Sequence, residues 1–337
     1  MQPSEAKHKP VVFSGIQSTG KMHIGNYIGA LSVWAENQSK YDNIFCIVDL
    51  HALTIPEAIK PEYLRHKVVE FAALYIACGI DPEQSAIFIQ SHVPAHAELT
   101  WLLNCVTPLG WLERMTQYKS KSAHQESVGT GLLAYPVLQA ADILLYNTNL
   151  VPVGDDQRQH VELTRDIAQR FAFLYGETFV TPELLIRRSG ARIMGLDDPT
   201  VKMSKSLGEQ RPEHSIGLVD EPGVIRRTVA RAVTDTARET RFEHASAGVL
   251  NLLTIYEALS GETRPAIEAR FAGGGYGDLK RQLTELLVET LAPIRKRYQD
   301  LMTDPTELDI ILRTGAAKVA PVAEATLTRV KRAMGCA

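Results

Sequence analysis

Two clusters of residues in this 337-residue chain carry chemistry that the remaining residues must hold in place. The first spans residues 15–26, GIQSTGKMHIGN. Gly15 and Gly20 bracket a tight loop, and His23, Gly25 and Asn26 open a helical pattern directly after it. A loop feeding a helix start aims backbone N–H groups and the positive end of the helix dipole at one place, which makes an anion site. The second cluster is Lys202-Met203-Ser204-Lys205-Ser206, two cations and two hydroxyls within five residues, between Pro199 and Gly208. Flexible ammonium groups on a short loop suit the charge of a phosphate chain. The anion expected at the glycine loop is a nucleotide phosphate.

A third candidate is Asp142, inside the apolar run LLAYPVLQAADILLY of residues 132–146. A carboxylate in such surroundings costs several kcal/mol unless it is paired. Tyr135 and Gln139 share roughly its helix face, so a ligand donor is expected there in preference to a purely structural partner. The polar run of residues 119–131, with Lys119 and Lys121, is expected as a mobile surface loop from which a lysine reaches a phosphate.

The elements that must position these groups follow from periodicity. Short apolar runs predict strands at 11–13, 43–48, 86–89, 150–153 and 191–194, alternating with helical patterns, one of them beginning at Pro61 and closed by Gly79. Strand and helix in alternation require a parallel sheet with crossover helices. His51 follows the second strand, and Gly154-Asp155-Asp156-Gln157 turns the fourth into a helix. Both lie where open α/β sheets bind ligands. Beyond residue 213 the patterns are helical: 222–232, 249–259, 279–301 and 307–334. The expected fold is α/β, a Rossmann-type parallel-sheet catalytic domain over 1–212 followed by an all-helical domain over 213–337, whose last helix packs back on the first domain.

Composition excludes several classes. The apolar runs fall short of the ~18–20 residues that span a bilayer, and residues 1–9 show neither a signal-peptide core nor an Arg-rich transit pattern. A cytoplasmic protein with no membrane partner is expected. Cys46, Cys78, Cys105 and Cys336 are scattered without a C-x-x-C pair, so no protein-held metal is expected. A net charge of -3 rules out a uniformly positive field, but arginines cluster at 226, 227, 231, 238 and 241, and Arg295, Lys296 and Arg297 form a second patch. Such patches are solvated helix faces or phosphate contacts.

Residues 15–21 spell G-x-x-x-x-G-K, the start of a P-loop, and Asp49 at the end of an apolar strand imitates its acidic partner. Met22 stands where a P-loop needs Ser or Thr for magnesium, and breaks the match. His23-Ile24-Gly25-Asn26 instead resembles the His-Ile-Gly-His signature of class I aminoacyl-tRNA synthetases, with Asn26 for the final His. Lys202–Ser206 is their second signature, complete and about 180 residues downstream. FSGIQ at 13–17, CIVDLHALT at 46–54, RMTQYKSKS at 114–122, YPVLQAADILLY at 135–146 and VPVGDDQRQH at 151–160 extend the resemblance over nearly the whole chain, to the bacterial-type tryptophanyl branch of that class. Ala141 before Asp142, where the tyrosyl branch commonly has Tyr, leaves room for a bicyclic ring.

The resemblance implies that ATP, with Mg2+ on its phosphates, is held by Gln17, Ser18, Thr19, Gly25, Asn26, Lys121, Gly154, Asp155, Asp156, Ile193, Lys202, Met203, Ser204, Lys205 and Ser206. It implies that L-tryptophan is surrounded by Phe13, His51, Tyr135, Gln139, Asp142 and Gln157. His23, Asn26, Lys202 and Lys205 are the implied catalytic residues, tRNA(Trp) the implied macromolecular substrate, and a homodimer with an anticodon-binding helical domain the implied assembly. Gln139 departs from the pattern: many relatives carry Met there against the indole, so the pocket here is more polar.

Overall fold

An apolar run without alternation needs a sheet covered on both faces, and residues 44–48, IFCIV, form such a run. The computed structural model describes residues 9–54, 59–123, 127–154, 157–185 and 192–336. Among them are five parallel strands, β1 (Val11–Ile16), β2 (Asp42–Ile47), β3 (Ser85–Ile89), β4 (Leu150–Pro152) and β5 (Glu183–Leu185), in the order β3-β2-β1-β4-β5. Phe13 pairs with Ile44, Ile44 with Ala86, and Val12 with Leu150. Phe45 and Ile47 enter the core on one face, while Ile44, Cys46 and Val48 enter the core on the other.

On the first face lies the Pro61–Ala77 helix, whose Val68, Phe71 and Leu74 are buried. That core continues without interruption into the helices Pro222–Arg231, Ala247–Ser260, Arg264–Phe271 and Gly275–Thr303 through Ile225, Leu252, Ile267 and Leu287. On the second face lie Ala95–Asn104, Thr130–Leu144 and Arg158–Tyr175. The Pro305–Met334 helix serves both cores, Leu308 and Leu312 entering the first and Ala316 to Val330 the second. It crosses β3, one of the two outer strands, at Gly315, where a Cβ would lie 2.0 Å from the Ile87 carbonyl oxygen. A helix laid over the outer strand protects an edge that would otherwise pair with another chain.

Several expectations need correction. β1 runs on to Ile16, and β5 lies at 183–185, an outer strand of three residues too short for any periodic signal. The strand expected at 191–194 is absent among its described residues, since Met194 forms only an isolated bridge with Lys202. Lys119 and Lys121 belong to the last turn of a helix, Thr116–Ser122, where cations complement the helix dipole. Ala95–Asn104 and Leu109–Glu113 are separate helices, with Pro108 between them. No helix among the described residues is long and apolar enough to cross a membrane.

Candidate active site

The strand order reverses beside β1, and open parallel sheets bind ligands at the carboxyl ends of the strands flanking such a reversal. A cavity of about 410 Å³ lies there. β1 contributes Phe13 to Gln17, β2 is followed by Val48 and His51, and β4 and its continuation supply Val151 to Gly154 and Gln157. The Thr130–Leu144 helix presents Tyr135, Gln139 and Asp142, spaced four and three apart on one face. Lys121, Asn26 and Lys205 complete the wall.

Asp142 is paired as well as cavity-facing, so structural partners stand beside the ligand donor expected there. Its Oδ1 accepts from Gln90 Nε2 at 2.7 Å and His96 Nδ1 at 2.6 Å, and its Oδ2 from His51 Nε2 at 3.0 Å. His96 must carry its proton on Nδ1, so its Nε2 accepts from the Tyr146 hydroxyl at 2.6 Å. Burial would raise the Asp142 pKa, but hydrogen bonds from His51 and His96 outweigh it and hold the carboxyl well below the usual range. Three of about four acceptor positions are used. The remaining one is on Oδ2.

Above this floor the walls are aromatic. Phe13 stacks on Tyr146 at 5.8 Å, and the Tyr135 ring meets His51 edge-on at 6.2 Å while its hydroxyl bonds His160 Nε2 at 2.9 Å. Two cations line the same cavity. Lys121 Nζ lies 5.1 Å from the Tyr135 ring centre, and burial lowers its pKa. Lys205 donates to the Gln17 carbonyl and sits 4.8 Å above the Phe71 ring, with burial and then Lys67 bringing its pKa down to about 7.

The glycine loop is fastened to the second signature. Gly20 has φ +75°, and a Cβ there would lie 2.7 Å from the Lys205 backbone, so only glycine fits both the conformation and the contact. The Lys21 N–H donates to the Lys205 carbonyl at 3.1 Å. Lys21 Nζ does not reach the cavity: it pairs with Asp220 at 2.7 Å. Met22 is buried in the core. A P-loop lysine must point at phosphates, so this geometry rejects the P-loop.

His23 is 3% exposed and its Nδ1 has no partner among the described residues. Burial, then Lys205, His214, Lys202 and Lys21, pull its pKa down to about 3, so the imidazole is neutral at pH 7. Asn26 accepts from the His23 N–H at 3.1 Å, tying the helix start together. The segment 216–218 clamps this start through Ile24 N–H to the Ile216 carbonyl at 2.8 Å and Leu218 N–H to the Met22 carbonyl at 3.1 Å.

Of the residues singled out in the sequence, Phe13, Gln17, Asn26, His51, Lys121, Tyr135, Gln139, Asp142, Gly154, Gln157 and Lys205 meet at the cavity. Others stand behind it. Ser18, Ile193 and Met203 are buried, Gly25 backs onto the His23 ring, and Thr19 closes a turn on the Gln17 carbonyl. Ser204 caps the Lys205–Gln210 helix, and Lys202 and Ser206 are exposed. Asp155 and Asp156 lie outside the described residues.

The family model described as tRNA synthetases class I (W and Y) matches residues 5–292. A tryptophan–tRNA ligase of Gloeobacter violaceus is 51% identical over 334 residues, 99% of this chain and 98% of its own. Solved tryptophanyl-tRNA synthetases match too. That of Mycoplasma pneumoniae gives TM-score 0.88 at 34% identity over 97% of this chain and 98% of its own. That of Campylobacter jejuni, complexed with ADP and tryptophan, gives 0.83 at 35% identity over 96% and 99%. The chain belongs to the class I tryptophan–tRNA ligases.

As a tryptophan–tRNA ligase it carries a site whose supports are not all visible in its signatures. Gln90 and His96 hold Asp142 from 52 and 46 residues away, and Asp220 holds Lys21 from 199. For Gln90 and His96 the sequence signal is that a buried carboxylate requires partners; for Asp220 there is none.

Proposed function

We propose that the chain joins L-tryptophan to ATP, forming tryptophanyl-adenylate and pyrophosphate, and then transfers the tryptophanyl group to the terminal ribose of tRNA(Trp). One observation carries this: a single cavity is lined both by a buried carboxylate with an acceptor position to spare and by two lysines, one of which, Lys205, is fastened to the glycine loop. The indole fills the aromatic part, among Phe13, His51, Tyr135, Gln139 and Gln157, and its N–H donates to Asp142 Oδ2. A volume of about 410 Å³ accommodates an amino acid next to part of a nucleotide. ATP lies along Gln17, Asn26, Gly154 and Lys121, with Ser18, Thr19, Gly25, Ile193 and residues 202–206 shaping the backbone that holds it; Asp155 and Asp156, also implied for ATP, lie outside the described residues.

Adenylation needs no general base, because the tryptophan carboxylate that attacks the α-phosphate is already ionised at pH 7. The protein must align nucleophile and leaving group and stabilise the charge moving onto pyrophosphate. His23, being neutral, contributes a dipole at the α-phosphate beside the Asn26 amide, while Lys202 and Lys205 contribute charge at the β and γ groups. Magnesium enters with the nucleotide substrate, on its phosphates.

Residues 1–212 are read as the catalytic domain and 213–337 as the domain that meets the anticodon, in a cytoplasmic homodimer. Arg226, Arg227 and Arg231 are exposed on one helix and support the RNA contact. Arg295 and Arg297 bond the Asp220 carbonyl and Glu307, so they support the fold instead.

Pyrophosphate exchange measured across the twenty amino acids tests the proposal. Exchange is expected with tryptophan alone, and Lys21→Ala should retain it within about tenfold because its ammonium serves Asp220. ATP turnover without amino acid, lost in Lys21→Ala, would indicate a P-loop enzyme. RNA binding with no exchange would indicate a regulator with a degenerate site.

A further inference from the structure

Lys205 is seated against one face of the Pro61–Ala77 helix, on residues that neither signature contains. Tyr63, Lys67 and Phe71 are four apart and so form one stripe on that helix. The Tyr63 hydroxyl accepts from the Gly20 N–H at 3.0 Å and donates to the Glu209 carboxylate at 3.0 Å. Lys67 Nζ lies 3.7 Å from Glu209 and 3.1 Å from Glu70. Phe71 lies beneath the Lys205 ammonium. Glu209 is four residues after Lys205 on the same short helix, so the stripe grips that helix at both ends, and its Tyr63 end also holds the glycine loop.

We infer that Tyr63 is a positioning residue for Lys205, its hydroxyl setting the distance between the glycine loop and the helix that begins with Lys205. The inference rests on the role proposed above for Lys205 in adenylation. A hydroxyl used as both donor and acceptor defines two directions at once, which a phenyl ring cannot. Without it the Gly20 N–H loses its acceptor, and Glu209 is left to Lys67 alone. Lys205 then samples positions away from the leaving group, and an ångström of misplacement is costly where catalysis is alignment. Burial pushes the Tyr63 hydroxyl up to about 12, so it keeps its proton across the working range and remains a donor.

A double-mutant cycle on the full-length enzyme, read as the single-turnover rate of tryptophanyl-adenylate formation per active site, tests this. Lys205→Ala should lower that rate by roughly 10² or more, and Tyr63→Phe by about tenfold. In the Lys205→Ala background Tyr63→Phe should cause no further loss beyond about twofold, because residues acting through one group are not additive. Glu209→Ala, which leaves the Tyr63 contact to Gly20 in place, should behave in the same way. A wild-type rate in Tyr63→Phe, or the same fold loss in both backgrounds, would overturn the inference while leaving the role of Lys205 standing. A wild-type rate in Lys205→Ala would overturn that role and the inference with it.

Discussion

Asp142 carries a full charge inside the core because three donors surround it, and those donors have different stakes. Gln90 and His96 are themselves buried and face only protein, whereas His51 shares Oδ2 with the cavity. Asp142→Ala should therefore do two things. It leaves the Gln90 side-chain N–H and the His96 Nδ1–H without their acceptor, at about 1–3 kcal/mol each, so stability falls. It also removes the acceptor proposed for the indole, and sites built on such a bond lose roughly 10⁴ when one partner is missing. Tryptophan activation should fall by about that factor, while ATP affinity, measured by equilibrium titration of the folded variant, should change little. Equal losses for both ligands would make the residue purely structural.

The Pro305–Met334 helix is the element on which the sheet most visibly depends. It can approach β3 as closely as it does because position 315 has no side chain: a Cβ would lie 2.0 Å from the Ile87 carbonyl oxygen and 2.7 Å from its carbon. Backbone cannot yield as a side-chain tip can, so Gly315→Ala should push the helix off the strand. The expected cost is about 1–3 kcal/mol, read as a lower urea midpoint. Gly277→Ala is the control. Nothing lies within 4 Å of the added carbon there, and replacing a helical glycine by alanine should leave stability unchanged or raise it by about 0.5–1 kcal/mol.

Across the whole molecule, the core above the sheet passes into the helical region without a break. Phe45 and Ile47 of β2 share one cluster with Leu252 and Leu287. The chain has three tryptophans, and Trp34, Trp101 and Trp111 all lie on the sheet side, so fluorescence reports that half and circular dichroism the sum. Leu287→Ala removes a fully buried side chain from the Gly275–Thr303 helix and should cost about 2–5 kcal/mol. Because the core is shared, the fluorescence midpoint should fall together with the dichroism midpoint in one transition. A fluorescence midpoint that stays put while dichroism shifts would show that the two halves unfold independently.

What the sequence by itself determined was local. The strand, glycine loop and helix start at 11–26 follow from composition over a few residues. So do the cations at 202–206, the long helices and the odd placement of Asp142. Tertiary structure decided everything that depends on which distant residues meet. It placed Lys21 on Asp220 and away from any phosphate, set His96 and Gln90 around Asp142, and brought Tyr63 and Phe71 beneath the helix that begins with Lys205. It also made a helix of residues whose serines and lysines read as a loop at 119–122, and a strand of three residues at 183–185 with no pattern of its own. Periodicity records how one element faces the core. It carries no information about which partner waits across a gap of 40 to 200 residues, and in this chain such partners decide where Lys21, Asp142 and Lys205 point.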